Sequence, residues 1–155
     1  MKAQQELIHY VGQKIGLAEL ALDEQNQATV TFDDLITVTF LAEDEDLAVV
    51  SYVADYDPDS ESVGKYLLQL NYIPTALGGA KLAVDPKSDS IILTNSWNAA
   101  MTDGELFFSQ LEMFVNAVQA IQGEVARLAA GESLDSEPKT LPINTNPLMM
   151  YGRMA

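Results

Sequence analysis

Residues 29–53 read "TVTFDDLITVTFLAEDEDLAVVSYV", and their apolar side chains recur at every second position. Val30 and Phe32 alternate with threonines, and the same spacing continues through Ile36, Val38 and Phe40. A period of two is typical of strands with one buried face. The joints "FDDL" and "AEDEDL" are short and rich in Asp, which tolerates turn conformations. The stretch therefore predicts a three-stranded antiparallel meander.

Two amphipathic helices are predicted on either side of the meander. In "AQQELIHYVGQKIG" the apolar residues fall on one helical stripe, and Gly16 follows as the expected breaker. The stretch "SESVGKYLLQLN" has a broad apolar face, with Asp59 or Ser60 as its N-cap and Asn71 as a left-handed C-cap. The residues from Glu19 to Leu22 predict a further short strand.

A second hairpin and a long helix complete the predicted domain. The hairpin is "AKLAVDPKSDSIILTNSW", and the helix "TDGELFFSQLEMFVNAVQAIQGEVARL" begins with the capping-box pair Thr102 and Glu105. We therefore expect an α+β fold of order α-β-β-β-α-β-β-α, a twisted antiparallel sheet flanked by helices, in residues 1–128. Residues 129–155, punctuated by glycine and proline, are predicted to be a flexible tail.

Composition narrows the class of protein. The 155 residues and 48% hydrophobic content suit one globular domain. With 8 basic against 23 acidic side chains the net charge is -15, which disfavours nucleic acid and anionic membrane surfaces as partners. Cysteine is absent, which excludes disulfides and thiol chemistry. The chain offers no apolar run of membrane-span length and no signal-peptide pattern at its start, so a soluble, unexported protein is expected.

Metal binding is the first chemistry to weigh. Asp55, Asp57 and Asp59 alternate as the first ligands of an EF-hand loop would, but Ser60 and Tyr66 stand where that loop needs glycine and a bidentate carboxylate. A solvated loop between a strand and a helix is the better interpretation. The acidic run "EDED" in the meander is likewise interpreted as a solvated hairpin tip. No metal is expected.

Catalysis has little support. The one histidine, His9, lies beside the apolar stripe of the first helix without a nucleophile motif nearby. Gly78 and Gly79 lack the Lys-Ser or Lys-Thr of a phosphate-binding loop and precede a strand, so they are read as loop glycines. Trp97 follows a strand, where packing against a helix is favoured over ligand binding. Neither an enzyme nor a cofactor is expected.

The sequence has a surplus of apolar surface. The strands "LAVVSYV" and "SIILT" carry apolar residues at both odd and even positions, and therefore on both faces of the sheet. If helices cover one face of the sheet, Val50, Tyr52 and Ile92 would be exposed on the other face. A large apolar patch usually marks an interface. The alternative is that the long final helix covers all of these residues.

The order of elements resembles the class I type III secretion chaperones, the CesT or Tir-chaperone family. The resemblance covers residues from about 3 to 128. Its features are "KIG" closing the first helix, "LALDEQNQATVTFDD", "LLQLN", the hairpin "KLAVDPKSDSIIL" and the long last helix. It implies a cytoplasmic bacterial homodimer that binds the N-terminal segment of a secreted effector, keeps it extended and hydrolyses no nucleotide. It also implies the secretion-apparatus ATPase as a partner.

Candidate residues follow from this resemblance and from residue type. The predicted effector-binding residues are Leu7, Val11, Val50, Tyr52 and Ile92. The predicted dimer-interface residues are Val63, Leu67, Leu68 and Leu70 of the second helix, with Leu82 or Val84 of the next strand. Leu148, Met149, Met150 and Tyr151 in the tail resemble a docking peptide as much as disordered residues. The alternative function is a dimeric regulator of the same fold that binds a folded partner.

Overall fold

The structure is a computed structural model that describes residues 1–73 and 75–132, and the backbone of residues 152–154. The predicted α-β-β-β-α-β-β-α order is confirmed, with a short 3₁₀ turn before the last helix and one further strand at the C-terminus. The helices are α1 (Lys2–Ile15), α2 (Glu61–Tyr72) and α3 (Gly104–Ala129). The strands are β1 (Gln27–Phe32), β2 (Ile36–Glu43), β3 (Asp46–Asp55), β4 (Lys81–Asp85), β5 (Ser90–Asn98) and β6 (Gly152–Met154).

The strands form one antiparallel sheet in the order β4-β5-β3-β2-β1-β6. The two tight turns of the meander depend on aspartate, because Asp33, Asp34 and Asp44 all have positive φ. Aspartate reaches this left-handed region more easily than most residues, since its short polar side chain bonds nearby backbone. The Asp-rich joints thus act as the hairpin turns that the sequence predicted.

The core lies between the sheet and the helices. Alternate residues of β1, β2 and β3 are buried, and α3 packs on β2 and β3 and also contacts α1 and α2. Trp97, which lies within β5, packs edge-on against the buried Phe107 of α3, with ring centroids 5.1 Å apart. This contact confirms the predicted packing role of Trp97. None of the described helices is long and apolar enough to cross a membrane.

Three local predictions were wrong. The residues from Glu19 to Leu22 form no strand; Leu20 is buried there, and turns carry the chain from α1 to β1. The N-cap of α3 is Asp103 rather than Thr102, because the Asp103 carboxylate accepts from the Leu106 N–H while the Thr102 hydroxyl donates to the Asn98 carbonyl. Asn71 does not end α2. That helix continues for one more residue, and the Asn71 side chain bonds β4.

The close packing of α1 on the following turn depends on Gly12. A Cβ at this position would lie 2.5 Å from the backbone carbonyl oxygen of Leu17. We expect Gly12→Ala to lower the free energy of unfolding by about 1–3 kcal/mol, because backbone must move to admit the methyl group. Gly123→Ala on α3 is the matched control, since a Cβ there meets no atom within 4 Å.

The control is expected to change stability in the opposite direction. Alanine is favoured over glycine in a helix interior by about 1 kcal/mol, so Gly123→Ala should raise the unfolding free energy. Urea denaturation of the two variants checks both signs. Equal effects of the two substitutions would contradict the packing account of Gly12.

Candidate partner-binding surfaces

The face of the sheet that points away from the helices carries few charges. At its centre, four directly paired residues form a row across four strands. In order they are Thr29 of β1, Thr39 of β2, Val50 of β3 and Thr94 of β5. The Thr29 and Thr39 hydroxyls are 3.3 Å apart, and those of Thr31 and Thr37 are 2.9 Å apart. Hydroxyls that bond one another leave fewer free donors and acceptors, so this face is less polar than its composition suggests.

Val50, Tyr52 and Ile92 lie together on this face, and we call them the outer patch. Tyr52 and Ile92 are directly opposite across β3 and β5, and Val50 is two residues away on β3. Val50 and Ile92 are partly exposed, and Tyr52 is 51% exposed. The parity argument predicted this placement, because the neighbours Val49 and Ile91 are fully buried on the opposite face. The structure brings these three predicted effector-binding residues together.

The Tyr52 ring is fixed at the rim of the outer patch. Its hydroxyl donates a hydrogen bond to the Asp55 carboxylate at 3.0 Å. Partial desolvation, together with this bond and the negative charge of Asp55, raises the pKa of Tyr52 above its ordinary value. The hydrogen bond to Asp55 holds the ring in place, and the ring offers a positioned apolar surface to a partner.

The other two predicted effector-binding residues lie elsewhere. Leu7 and Val11 are buried in the core of the single chain, on the face of α1 that packs against the rest of the domain. They do not join the outer patch. An apolar helical stripe has the same pattern whether it faces its own core or a partner, and here it faces the core.

A second apolar surface is formed by α2 and the edge strand β4. Leu68 and Tyr72 are one helical turn apart and are 72% and 85% exposed, and Val84 of β4 is also exposed. We call these three residues the α2–β4 surface. Tyr72 was missed by the sequence analysis, because α2 was predicted to end at Asn71. Its spacing of four from Leu68 is the signal that could have found it.

The remaining predicted dimer residues lie beneath this surface. They are buried in the single chain and support α2 from below: Val63, Leu67, Leu70 and Leu82. Tyr66 is buried on the same helix, and desolvation, with the nearby Glu124 carboxylate, raises the pKa of its phenol to about 12. α2 therefore has one face committed to the core and another that is open.

Asn71 joins α2 to the edge of the sheet. Its side-chain amide donates to the Leu82 carbonyl at 2.9 Å, and its side-chain oxygen accepts from the Leu82 N–H at 2.8 Å. The outward backbone groups of this edge residue are thus satisfied by a side chain, which protects the edge from pairing with another strand. The α2–β4 surface is held rigid by the same two bonds.

We expect Asn71→Ala to lower the unfolding free energy by about 1–2 kcal/mol, because the partly buried Leu82 backbone groups lose both partners. Thermal denaturation measures the change. Asn95→Ala is a suitable control, since the Asn95 side chain accepts only from the adjacent Ser96 N–H among its described bonds and should matter by less than about 0.5 kcal/mol. A loss at Asn71 no larger than the control would contradict the bridging role.

The acidic hairpin tip lines a shallow cleft. The cleft, of about 560 Å³, lies beside β4 and β5, where Glu43, Asp44 and Asp46 meet Lys81. The buried Gln4 of α1 holds the tip by donating to the Asp44 carbonyl at 2.8 Å. In the described part of the chain, no group of three or more histidines or carboxylates is placed to hold a metal ion. The predicted docking residues Leu148, Met149, Met150 and Tyr151 lie outside the described residues.

Comparison with known proteins identifies relatives by both sequence and fold. The profile of the Tir chaperone protein (CesT) family matches residues 6–122. The ExsC–ExsE complex contains a chain 24% identical, with a TM-score of 0.67 over 78% of this chain and 92% of that one. The Yersinia pestis type III secretion chaperone SycH, solved with a fragment of YscM2, is 21% identical, with a TM-score of 0.61 over 76% and 98%.

A third solved structure has a similar fold at lower sequence identity. The HopA1–SchA chaperone–effector complex contains a chain 13% identical, with a TM-score of 0.67 over 78% of this chain and 94% of that one. Comparison with curated proteins found no match. At these identities the solved structures establish the fold, and the profile match establishes the family.

Proposed function

Since the chain belongs to the Tir chaperone protein (CesT) family, we propose that it is a type III secretion chaperone. It binds the N-terminal chaperone-binding segment of a secreted effector and keeps that segment extended and competent for secretion. It acts by binding, without a catalytic step. The secretion-apparatus ATPase as a further partner stays a prediction.

The observation that carries this proposal is the outer patch, which lies on a sheet face with few charges. Val50, Tyr52 and Ile92 offer exposed apolar side chains on two neighbouring strands. A disordered segment gains affinity from a long contact of this kind, because it must offset the entropy lost on ordering. The Thr-rich rows beside the patch extend the surface along β1 and β2. Leu7 and Val11 would contribute only by stabilising the core of the domain.

The solved relatives support binding of another polypeptide. SycH was solved with a fragment of YscM2, and SchA was solved as a chaperone–effector complex with HopA1. The match covers most of each relative's chain, so the comparison concerns whole chaperone domains. A polypeptide ligand is therefore favoured over a small molecule for this chain.

We further propose that the protein is a homodimer whose contact is the α2–β4 surface. Leu68, Tyr72 and Val84 are apolar and exposed in the single chain, and such a group on one side of a domain usually marks an interface. The buried Val63, Leu67, Leu70 and Leu82 would support the contact. We expect the interface to bury roughly 1,200–2,000 Å² in total.

Co-purification from the source cells, followed by hydrogen exchange on the complex, tests the proposal. We expect a bound protein whose exchange protection is confined to an extended N-terminal segment, with matching protection on β3 and β5 of this chain. Protection spread over a prefolded domain of the partner would instead support the dimeric regulator. Addition of nucleotide should leave the complex unchanged.

A further inference from the structure

We infer that the outer edge of β1 is an acceptor site for an extended polypeptide segment, and that the chain's own C-terminal strand β6 occupies it in the resting protein. β6 lies antiparallel to β1 at the edge of the sheet, with Phe32 opposite Gly152 and Val30 opposite Met154. Only the identity of the natural occupant, a segment of a secreted partner, rests on the function proposed above.

The two edges of the sheet differ in how they are closed. At the β4 edge, Asn71 of α2 bonds both backbone groups of Leu82. At the β1 edge, the first residue is closed by the preceding loop, because Asp23 donates its N–H to the Gln27 carbonyl at 2.7 Å and its carboxylate accepts from the Gln27 N–H at 2.9 Å. The rest of the β1 edge is left for another strand.

The direction of the Gln27 bonds shows which backbone groups that strand would meet. Outward groups recur at every second residue of a strand, so Thr29 and Thr31 point their N–H and C=O groups outward like Gln27. β6 places Arg153 opposite Thr31. The described pairing ends at Val30, and a longer incoming strand would also have the backbone of Thr29 to pair with. The edge therefore offers a longer strand more bonds than β6 makes.

Chain length permits β6 to occupy the edge in cis. Residues 130–151 connect the end of α3 to β6, and about twenty extended residues reach roughly 65 Å. That reach exceeds the roughly 39 Å length of α3 itself. A tethered segment competes at an effective concentration in the millimolar range. If β6 occupies the edge nine-tenths of the time, it lowers the apparent affinity of the edge for an incoming segment about tenfold. β6 would therefore prevent weak pairing but could be displaced by a segment that binds more tightly.

The first test uses a fluorescent synthetic peptide with the sequence of residues 146–155 and the full-length protein. Arg153→Pro removes the N–H that faces the Thr31 carbonyl, so β6 should leave the edge and the peptide should bind at least tenfold more tightly than to the unsubstituted protein. Arg153→Ala is the control, because it keeps the backbone N–H and should bind the peptide as weakly as the unsubstituted protein. Equal peptide binding by all three proteins would overturn the inference, and so would tight binding to the alanine variant.

The second test locks the strand. Thr31 and Arg153 lie directly opposite in an antiparallel pair, at a Cα separation that suits a disulfide, and the chain has no cysteine of its own. The Thr31→Cys/Arg153→Cys variant should form a disulfide on oxidation, fail to bind the peptide, and recover weak binding on reduction. Non-reducing electrophoresis should show a single chain. A disulfide-linked dimer would show that β6 comes from a second copy and would overturn occupation in cis.

Neither test requires the natural partner. If the peptide and disulfide results are as expected but no effector co-purifies, the acceptor edge stands and the proposed function fails. If an effector is bound but its affinity is the same for Arg153→Pro and Arg153→Ala, the function stands and the competing role of β6 is refuted.

Discussion

Leu68→Asp is expected to convert the protein from a dimer to a monomer at micromolar concentration. Leu68 is 72% exposed in the single chain, so the carboxylate is fully hydrated before association. In the dimer it would have to be desolvated without a partner charge, which is strongly unfavourable. A twofold interface uses the same patch from both copies, so one substitution acts twice. We expect the dimer dissociation constant to rise at least 100-fold, or about 2.7 kcal/mol.

Leu35→Asp is the matched control for this prediction. Leu35 lies in the turn between β1 and β2 and has the same exposed fraction, 72%. It lies outside the α2–β4 surface, so its substitution should leave the dimer intact. Sedimentation equilibrium should give the mass of one 16.9 kDa chain for Leu68→Asp and of two for Leu35→Asp. A dimer that survives Leu68→Asp, with an unchanged circular dichroism spectrum, would place the contact elsewhere.

The fold was predictable where its causes are local. The alternation around Val38 and Phe40 encodes one buried face, and the Asp-rich joints encode turns, so the meander follows from neighbours in sequence. The position of Val50 was also predictable. Since Val49 shares the inner parity of Leu47 and Val53, the next residue must face outward, and Tyr52 follows it at a period of two.

Contacts between distant residues were not predictable. Leu7 and Val11 were assigned to a partner because a helical stripe does not record what covers it, and in the structure the chain's own core does. The role of Asn71 depends on a backbone eleven residues away that only the packing of α2 beside β4 brings close. β6 is three residues long, too short to show a period, and its pairing with β1 closes a very long loop.

The combination of Val50→Asp and Ile92→Asp should abolish effector binding while leaving the fold and the dimer intact. Both side chains lie on the outer face, so hydrated carboxylates can be accommodated in the free protein. On binding, two charges would be covered by the apolar side chains of the segment, each at a cost of several kcal/mol. We expect the affinity for the co-purified segment, measured by fluorescence anisotropy, to fall more than 100-fold. The melting temperature and sedimentation should change little.

Two further variants separate loss of apolar surface from added negative charge. Val50→Thr with Ile92→Thr keeps the β-branched shape without charge, so its loss of affinity should be intermediate. Asp44→Asn with Asp46→Asn reduces the negative charge at the hairpin tip and should change affinity by less than about tenfold, or 1.4 kcal/mol. If the asparagine pair alters binding more than the threonine pair does, the segment is recognised by charge at the acidic cleft. In that case the outer patch is not the effector surface, because its apolar character would contribute less than two carboxylates that lie outside it.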